Sequence, residues 1–525
     1  MHPTPQVILT ASRIEMSDFN VNPFIAFSGG FPTGLFPLPV ARKLLYPIKD
    51  PDSIEAKLAP YGLRKIEAIL AEELGEENVK AVYPHKLKEA IGPETKVIGI
   101  STMDPLGLGF VSRTYSSLAN LGEPLTKAEF RKLIAEVNRV RGSAKVIVGG
   151  SGAWQIPAAK AQDQLRIDTV IVGEAEAEAA AIFKAAIKGE KLPKVVNARK
   201  PKIEEIPCIK KPALYGVVEI TRGCGRGCQF CSPTMRTRYS FPLKKVLAEA
   251  KVNAKGGSRM LILQTEDIFL YKCKPGFIPN RDALRDLIKA VASVDEAEYM
   301  QVAHASLPPA AYDPKAVEEI APHLVEKSRW KLNGRKVASV EVGVETGSVK
   351  LVKKYMKGKP LPYPPEEWPK VVIKAIEVYN DNDICPLATI LVGLPGEKPK
   401  DVADTLRLIE DMKGMKIFYV PLLFTAEKDC MLSSKRSAEL EDLTELHWAL
   451  FSECWSHNIR MWTGAGAPVL KAGVLIAYIL YYKWRYGTRI LHPMAKMANL
   501  PKLTYSSYEK KIRRLISART GIAAS

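Results

Sequence analysis

Three cysteines in the spacing C-x3-C-x2-C carry the most specific chemistry in this sequence. They are Cys224, Cys228 and Cys231. Three thiolates on a short loop can bind three irons of a four-iron cluster and leave the fourth iron open to a reactant. Glycines at positions 223, 225 and 227 would let the backbone wrap closely around the cluster. The neighbouring Arg222 and Arg226 are expected to favour the thiolate form of the ligands.

The other cysteines do not indicate a disulfide framework. Eight cysteines in 525 residues are too few for a disulfide-stabilised scaffold, and none precedes Cys208. Three cysteines crowded into one short segment indicate metal ligation in a reducing compartment. A structural zinc site is the alternative to an iron–sulfur cluster, but a fourth Cys or His at matching spacing is missing.

The hydropathy pattern predicts a cytoplasmic protein. No stretch reaches the roughly 18 apolar residues that a membrane-spanning helix needs. The first residues lack a basic segment followed by an apolar one, so no secretory signal is visible.

The net charge of +19 is concentrated toward the C-terminal end, where residues 483–519 contain ten Lys or Arg against one acidic residue. Nucleic acid, an anionic membrane surface or an acidic protein could each bind such a segment, and a solvated basic face accounts for it equally well. We expect no nucleic-acid partner. The apolar stretch at residues 472–482 is expected to be a buried helix that does not rest on a membrane.

Apolar periodicity predicts an α/β chain whose N-terminal part is a doubly wound, Rossmann-like sheet. Such sheets bind ligands at the carboxyl ends of their strands. Helical patterns separate the predicted strands. These strands lie near residues 7–11, 79–83, 96–102, 145–149 and 169–173.

A second run of alternating strands and helices follows a predicted linker at residues 191–212. Its six strands suit a βα barrel, complete or partial. After residue 425 the strand pattern fades and the sequence becomes mainly helical. We therefore predict three domains, at residues 1–200, 201–425 and 426–525.

The segment from Thr221 to Pro233, TRGCGRGCQFCSP, resembles the signature of the radical S-adenosylmethionine (SAM) superfamily. The resemblance implies that the open iron binds the amino and carboxylate groups of SAM. One electron, from a donor such as a flavodoxin or ferredoxin, would then yield methionine and a 5′-deoxyadenosyl radical. Phe230, which precedes the third cysteine, matches the aromatic position near the adenine.

Three later motifs are similar to those of the subgroup that carries an N-terminal cobalamin-binding domain. QTEDIF contains Asp267 on the second strand, and EVGVETGS contains Glu345, which would face the cofactor, on the fourth. ILVGLPGE, with Gly393 and Pro395, resembles the fifth strand, whose backbone contacts adenine. Taken singly, Asp267 and Glu345 could be ordinary polar residues at strand ends, but the order of the motifs favours the family interpretation.

The N-terminal part resembles a cobalamin-binding Rossmann domain that lacks one ligand. Such domains often carry D-x-H-x-x-G after a strand, and the histidine then ligates cobalt. Residues 104–109 fit this frame with Asp104 and Gly109, but Leu106 stands in the place of the histidine. The resemblance implies a cobalamin whose own base is displaced and which has no protein histidine beneath it. The later glycine motifs are matched by Gly149, Gly150, Ser151, Gly173 and Glu174.

Together these matches imply a methyltransferase that uses a 4Fe–4S cluster, SAM and cobalamin. One SAM would methylate reduced cobalamin to methylcobalamin, and a second would supply the radical that removes hydrogen from an unactivated carbon. Among family members, archaeal enzymes that C-methylate a residue of methyl-coenzyme M reductase, such as its active-site glutamine, are the preferred subclass. A helical C-terminal domain would then shape the site for a protein or peptide substrate.

Two other functions are open at this point. The apolar stretch near the C-terminal end favours a radical SAM enzyme that modifies or cyclises archaeal membrane lipid. A non-enzymatic cobalamin carrier or sensor is the other, although it would leave the cysteine triad unexplained. Radical methylthiotransferases resemble this layout, but they need a second cluster held by N-terminal cysteines, and none precedes Cys208.

Overall fold

The computed structural model describes residues 4–48 and 52–462, and also the single residues 484 and 514. Apart from those two residues, the basic segment at residues 483–519 and the helix expected at residues 472–482 lie outside the described residues. Among the described residues, no helix is long and apolar enough to cross a membrane.

The strands are β1 (Val7–Ala11), β2 (Val79–Ala81), β3 (Val97–Ser101), β4 (Lys145–Gly149), β5 (Thr169–Val172), β6 (Val195–Asn197), β7 (Val217–Glu219), β8 (Thr221–Arg222), β9 (Tyr239–Ser240), β10 (Met260–Gln264), β11 (Tyr299–Val302), β12 (Lys331–Leu332), β13 (Arg335–Lys336), β14 (Ala338–Glu345), β15 (Ile384–Val392) and β16 (Phe418–Leu423). The α-helices are α1 (Leu38–Leu44), α2 (Tyr61–Leu74), α3 (Leu87–Ala90), α4 (Phe110–Ala119), α5 (Leu125–Val140), α6 (Gln155–Ala158), α7 (Ala179–Ile187), α8 (Leu243–Lys255), α9 (Arg281–Ala292), α10 (Leu307–Tyr312), α11 (Pro314–Glu326), α12 (Val349–Tyr355), α13 (Trp368–Asp381), α14 (Pro399–Asp411) and α15 (Glu445–Trp462).

Six parallel strands form the N-terminal sheet, in the order β2-β1-β3-β4-β5-β6. Every residue of β1 is buried, because α2 and α7 pack on one face of the sheet and α5 packs on the other. The strand order reverses between β1 and β3. In sheets of this kind the crevice at the reversal binds the ligand. The predicted doubly wound sheet is confirmed.

The second set of strands forms a partial barrel. β7, β10 and β11 pair in parallel, as do β14, β15 and β16. A parallel bridge between His304 and Glu341 joins these two sheets, so six strands follow one another in chain order. Helices cover the outside through amphipathic faces. α9, for example, buries Leu284, Leu287, Ile288 and Val291. The predicted α/β class with a (βα)6-type partial barrel is confirmed.

The helical segment after the barrel packs onto its last strand. Its helix α15 begins at Glu445. Asn458 of α15 accepts a hydrogen bond from the backbone N–H of Tyr419 at 2.8 Å and donates one to the carbonyl oxygen of Tyr419 at 2.7 Å. These bonds satisfy backbone groups of β16, which is the edge strand of the barrel.

Part of the segment predicted as a linker belongs to the N-terminal sheet. Residues Val195–Asn197 form β6, which pairs in parallel with β5. Because β6 is an edge strand, its side chains are partly or fully exposed, and no long apolar run marks it in the sequence. The prediction of a linker across residues 191–212 is therefore wrong at its start.

The aromatic segment that follows β1 attaches the N-terminal sheet to the barrel. The ring centroids of Phe24 and Trp330 are 4.7 Å apart. Phe24 and Phe27 both pack against the apolar core of the barrel. Arg329 donates hydrogen bonds to the carbonyl oxygens of Asn20 and Val21. The two parts of the molecule therefore share a packed interface.

Candidate functional site

The three cysteines lie on a loop that β8 and β9 close at its base as a short antiparallel ladder. The glycines at 223, 225 and 227 adopt left-handed φ angles of 75°, 77° and 75°. A Cβ on Gly223 would lie 2.6 Å from the carbonyl oxygen of Thr237, so a side chain is excluded there. Phe230 is buried in the barrel core together with Cys228.

Burial raises the pKa of all three thiols, because the surroundings disfavour the charged form. The pKa of Cys224 rises to about 11, and the neighbouring charge of Arg226 opposes that shift. Free thiols in this loop are therefore neutral near pH 7, and metal binding must displace their protons. The donor set of three sulfurs fits an iron–sulfur cluster.

Among the residues that the structure describes, no group of three or more His, Cys, Asp or Glu side chains could hold a single metal ion. A structural zinc site needs four ligands around one ion. Thiolates that each bind a different iron of a cluster need not converge on one point.

Arg226 anchors the loop of the three cysteines, residues 223–238 between β8 and β9 and here called the cluster loop, to two other segments. Its guanidinium donates to the carbonyl oxygen of Leu361 at 3.0 Å and pairs with the Asp267 carboxylate at 3.3 Å. Asp267 is fully buried, and its second oxygen accepts from the backbone N–H groups of Phe269 and Ser306. Both oxygens of Asp267 therefore bind protein donors, so this carboxylate positions the cluster loop.

Glu345 and Lys359 form an ion pair within the barrel. Glu345 ends β14 with a φ of 64°, a left-handed conformation that is uncommon for residues other than glycine. Its carboxylate accepts from Lys359 Nζ at 3.0 Å and from Thr389 Oγ1 at 3.2 Å. A Cβ on Gly343 would collide with both members of the ion pair, so the glycine makes room for it.

The turn after β15 is tied to α12 and α15. The N–H of Gly393 donates to the Glu397 carboxylate at 2.7 Å, and the hydroxyl of Tyr355 donates to the carbonyl oxygen of Pro395 at 2.6 Å. His447 Nδ1 accepts from a backbone N–H, so Nε2 carries the proton and donates to Glu397 at 3.0 Å. Gly393 and Pro395 therefore lie in a turn with a fixed conformation.

The loop at residues 104–109 follows β3, at the reversal of the N-terminal sheet. Asp104 accepts from the N–H of Gly109 at 3.0 Å and from the Gln155 amide at 2.6 Å. Gln155 is buried and accepts from the N–H of Leu106 at 2.9 Å. Asp104 and Gln155 thus close the loop on itself, and Leu106 is only partly buried within it.

A cavity of about 370 Å³ lies at the carboxyl ends of β3, β4 and β5. Part of its wall is apolar and comes from β1, β4, β5, α2 and α7. That wall includes Leu9, Ile66, Ile147, Ile171 and Phe183. Of the residues predicted to bind cobalamin, five line the cavity: Gly149, Gly150, Ser151, Gly173 and Glu174. Asp104, Leu106 and Gly109 are not part of its wall.

The same cavity is bordered by residues close to the cysteine triad. Glu219 and Arg222 come just before the triad, and Ser232 and Arg236 come just after it. One cavity therefore joins the N-terminal sheet to the cluster loop.

Arg222 connects the two sides of this cavity. Its guanidinium contacts the carboxylates of Glu219, Glu174 and Glu176 at distances of 2.7–2.8 Å. Its side chain is only 8% exposed. Glu174 and Glu176 follow β5, whereas Glu219 ends β7 beside the cluster loop. The expectation that Arg222 favours thiolate ligands is therefore wrong, because three carboxylates take up its charge.

Replacing Arg222 by methionine is expected to destabilise the junction strongly. The change leaves three poorly exposed carboxylates without their shared cation. Loss of one partner from a buried ion pair costs roughly 3–5 kcal/mol. Urea unfolding of the Arg222→Met variant would measure this loss. Arg259→Met is the matched control, because it removes an exposed arginine paired with Glu298 and should change unfolding far less. Equal stability of the two variants would contradict this role of Arg222.

Sequence reasoning missed three residues that hold the site together: Gln155, Lys359 and His447. Each contacts a residue far away in the sequence or outside its own motif. Lys359 lies in the stretch KGKP, which has no apolar periodicity and resembles a solvated surface segment. No local signal separates it from the other lysines of this chain.

Comparison with known proteins identifies the middle of the chain. Residues 218–409 match the family model of the radical SAM superfamily. The ribosomal protein uS12 methylthiotransferase RimO of Leptospira biflexa is 26% identical over 209 residues, which cover 39% of this chain and 41% of that protein. The tRNA-2-methylthio-N(6)-dimethylallyladenosine synthase of Vibrio vulnificus strain CMCP6 is 24% identical over 291 residues, which cover 53% and 56%. The chain thus spans about half the length of these curated relatives.

Two solved structures resemble most of the described fold. The radical SAM methyltransferase TsrM from Kitasatospora setae, with cobalamin and a [4Fe-4S] cluster bound, has a TM-score of 0.52 at 14% identity. The match covers 82% of this chain and 74% of TsrM. A TsrM structure with tryptophan substrate and a SAM analogue bound has the same TM-score and identity over 79% and 72% of the two chains. At this identity the likeness shows a shared fold.

The family match and the structural likeness agree on the partial barrel. The matched residues include the cluster loop, Glu345 and Gly393. The chain therefore contains a radical SAM domain, which spans residues 218–409 and carries the cysteine triad at its first strand.

Proposed function

We propose that this protein is a cobalamin-dependent radical SAM methyltransferase that transfers a methyl group to an unactivated carbon. The observation that carries the proposal is the single cavity shared by the glycine loops of the N-terminal sheet and the cluster loop. This cavity provides room for the base of a second large cofactor next to the cluster loop.

The cluster loop fits a 4Fe–4S cluster with SAM at its open iron. Three sulfur donors are present, and no fourth cysteine lies in the loop. Three glycines with left-handed φ angles allow a close turn of the backbone around a cluster. Glu345, Lys359 and the turn at Gly393 lie beside this loop or at the ends of the strands that follow, where they would contact SAM.

The cavity fits the displaced base of cobalamin. Its apolar wall suits a flat aromatic group, and its volume of about 370 Å³ is enough for the base but too small for the whole cofactor. Gly150 has a φ of 101°, and a Cβ there would lie 2.5 Å from the carbonyl oxygen of Thr102. A side chain is therefore excluded at this position of the cavity wall. Leu106 cannot ligate cobalt, which agrees with a base-displaced form without a histidine ligand.

When bound, the cluster and SAM supply a 5′-deoxyadenosyl radical, and cobalamin carries the methyl group. The residues of this chain would hold these groups at fixed positions relative to one another. Arg222 ties Glu174 and Glu176 of the cavity wall to the strand before the cluster cysteines. Arg226 and Asp267 hold the cluster loop against the barrel. Chemistry of this type needs such rigid positioning, because the reacting carbon must lie within a few ångströms of both cofactors.

Methylthio transfer is the competing reaction, since the curated relatives carry that activity in their names. Their alignments with this chain cover about half of each relative. Residues 1–207 contain no cysteine that could hold a second cluster. The N-terminal sheet instead offers glycine loops around a largely apolar cavity, which favours cobalamin and methyl transfer.

The proposed substrate is a residue of a protein or peptide, and a carbon of the active-site glutamine of methyl-coenzyme M reductase is the preferred candidate. The net charge of +19 supports an acidic protein partner. An external one-electron donor such as a flavodoxin or ferredoxin is part of this proposal. A radical enzyme that acts on archaeal membrane lipid is the second candidate, and the apolar stretch at residues 472–482 favours it.

Mass spectrometry of a strain that lacks this protein tests the proposal. We expect one peptide of that strain to lack a single methyl group that the same peptide carries in the parent strain. The purified enzyme should restore this methyl group from SAM with a deuterated methyl group, and the restored group should contain the deuterium. A restored mark that contains sulfur would contradict methyl transfer, and a changed lipid profile with unchanged peptides would support the lipid candidate.

A further inference from the structure

The ammonium group of Lys359 has unused hydrogen-bonding capacity inside the protein. Its side chain is 15% exposed, and Glu345 Oε1 at 3.0 Å is its hydrogen-bond acceptor among the described residues. An ammonium group has three donors. Buried donors are normally paired, so two of the three are available to a bound group.

The segment that contains Lys359 lies directly against the cluster loop. The N–H of Gln229, between the second and third cysteines, donates to the carbonyl oxygen of Tyr355 at 2.9 Å. Arg226, between the first and second cysteines, donates to the carbonyl oxygens of Lys359 at 3.3 Å and Leu361 at 3.0 Å. A Cβ on Gly358 would collide with the backbone of Arg226. Glycine at 358 therefore permits the closest approach of the two segments.

The ammonium group of Lys359 lies inside the barrel beside Glu345, and the backbone of the same residue contacts the cluster loop through Arg226. Lys359 is therefore a cation between the cluster loop and Glu345. In the proposed function, the amino acid part of SAM lies in the same place.

We propose that Lys359 is a positioning residue that binds the carboxylate of the methionine part of SAM. This inference rests on the proposed function. It adds that the orientation of SAM on the open iron depends on a residue outside the cysteine motif. The Glu345 carboxylate holds the ammonium in place, the missing side chain at Gly343 leaves room for it, and Arg226 fixes the backbone that carries it. A charge-assisted hydrogen bond of this kind is stronger than a neutral one.

The test compares the affinity for SAM with the affinity for decarboxylated SAM, in full-length protein with its cluster reconstituted under anaerobic conditions. Anaerobic calorimetry measures both dissociation constants without turnover. Lys359→Met should weaken SAM binding about 10- to 100-fold, the range for loss of one hydrogen bond to a charged group. Its affinity for decarboxylated SAM should stay within about twofold of the wild type, because the contact depends on the carboxylate. Lys359→Arg should restore most of the affinity for SAM.

Two further variants separate this role from a structural one. Lys357→Met removes an exposed lysine from the same segment and should leave both affinities unchanged. Lys359→Met combined with Glu345→Gln avoids an unpaired carboxylate within the barrel. In this double variant, the ratio of the affinity for SAM to the affinity for decarboxylated SAM should still be lower than in the wild type.

Two outcomes would overturn the assignment of Lys359. If Lys359→Met loses the same affinity for SAM and for decarboxylated SAM, Lys359 acts through the cluster or the fold. If its affinity for SAM is unchanged, Lys359 makes no contact with the SAM carboxylate. Wild-type protein that holds a four-iron cluster but binds no SAM would instead contradict the proposed function itself.

Discussion

Replacing Cys224, Cys228 and Cys231 together by alanine is expected to abolish the absorbance of a four-iron cluster and all formation of 5′-deoxyadenosine. The three thiols are the sulfur donors of one loop, and this loop lies in the radical SAM domain. Without them, no cysteine of the loop can hold iron. Iron and sulfide analysis after anaerobic reconstitution, together with chromatography of the reaction products, would measure both losses.

Buried cysteines elsewhere in the chain provide the matched control. Cys430 and Cys454 are buried, and burial raises the pKa of both thiols, as it does in the cluster loop. Replacing either by alanine should leave the iron content unchanged, because neither lies in the cluster loop. A redox-active four-iron cluster in the triple variant would show that the cluster loop has been assigned wrongly.

Replacing Gly149 by phenylalanine is expected to prevent cobalamin binding while the cluster still forms. Gly149 lines the cavity, and a Cβ there would meet its nearest atom, the carbonyl oxygen of Ile171, at 4.0 Å. A large side chain can therefore enter the cavity without a backbone clash and occupy the space of the base. Burial of an aromatic group of this size contributes about 4–6 kcal/mol. Its loss corresponds to at least roughly a thousandfold in affinity. Equilibrium dialysis with hydroxocobalamin measures this effect.

Gly149→Ala is the control for this variant. It adds one methyl group to the same position and should keep most of the affinity. If Gly149→Phe binds cobalamin as well as Gly149→Ala does, the base does not occupy this cavity.

Strand positions and motifs were predictable from sequence where the residues are buried and apolar. β1 and β4 lie where the sequence predicts them, because these buried parallel strands are continuous, largely β-branched apolar runs. β6 was not predictable, because an edge strand with poorly buried side chains has no such pattern. In the helical pattern that separates the first two predicted strands, α2 begins only at Tyr61. Pro60 stands directly before it in an extended conformation.

The contacts that join the parts of the site could not be read from the sequence. Arg222 was visible as part of the cysteine motif, but its carboxylate partners Glu174 and Glu176 lie more than forty residues earlier, after a strand of another sheet. The pairing of Lys359 with Glu345 likewise depends on how the chain returns to the cluster loop after α12. Local patterns predict elements, whereas such pairings follow only from the packing of the elements.

Electron paramagnetic resonance of the reduced, reconstituted protein with cob(II)alamin tests the central claim most directly, because it reports on both cofactors in one sample. Leu106 cannot ligate cobalt, and the cavity accepts the displaced base. We therefore predict a cob(II)alamin signal without superhyperfine splitting from an axial nitrogen, beside a four-iron cluster signal that changes when SAM is added. A three-line nitrogen pattern would contradict the base-displaced form. A sample that shows the cluster signal but takes up no cobalamin would contradict the methyltransferase assignment and leave only a radical SAM enzyme.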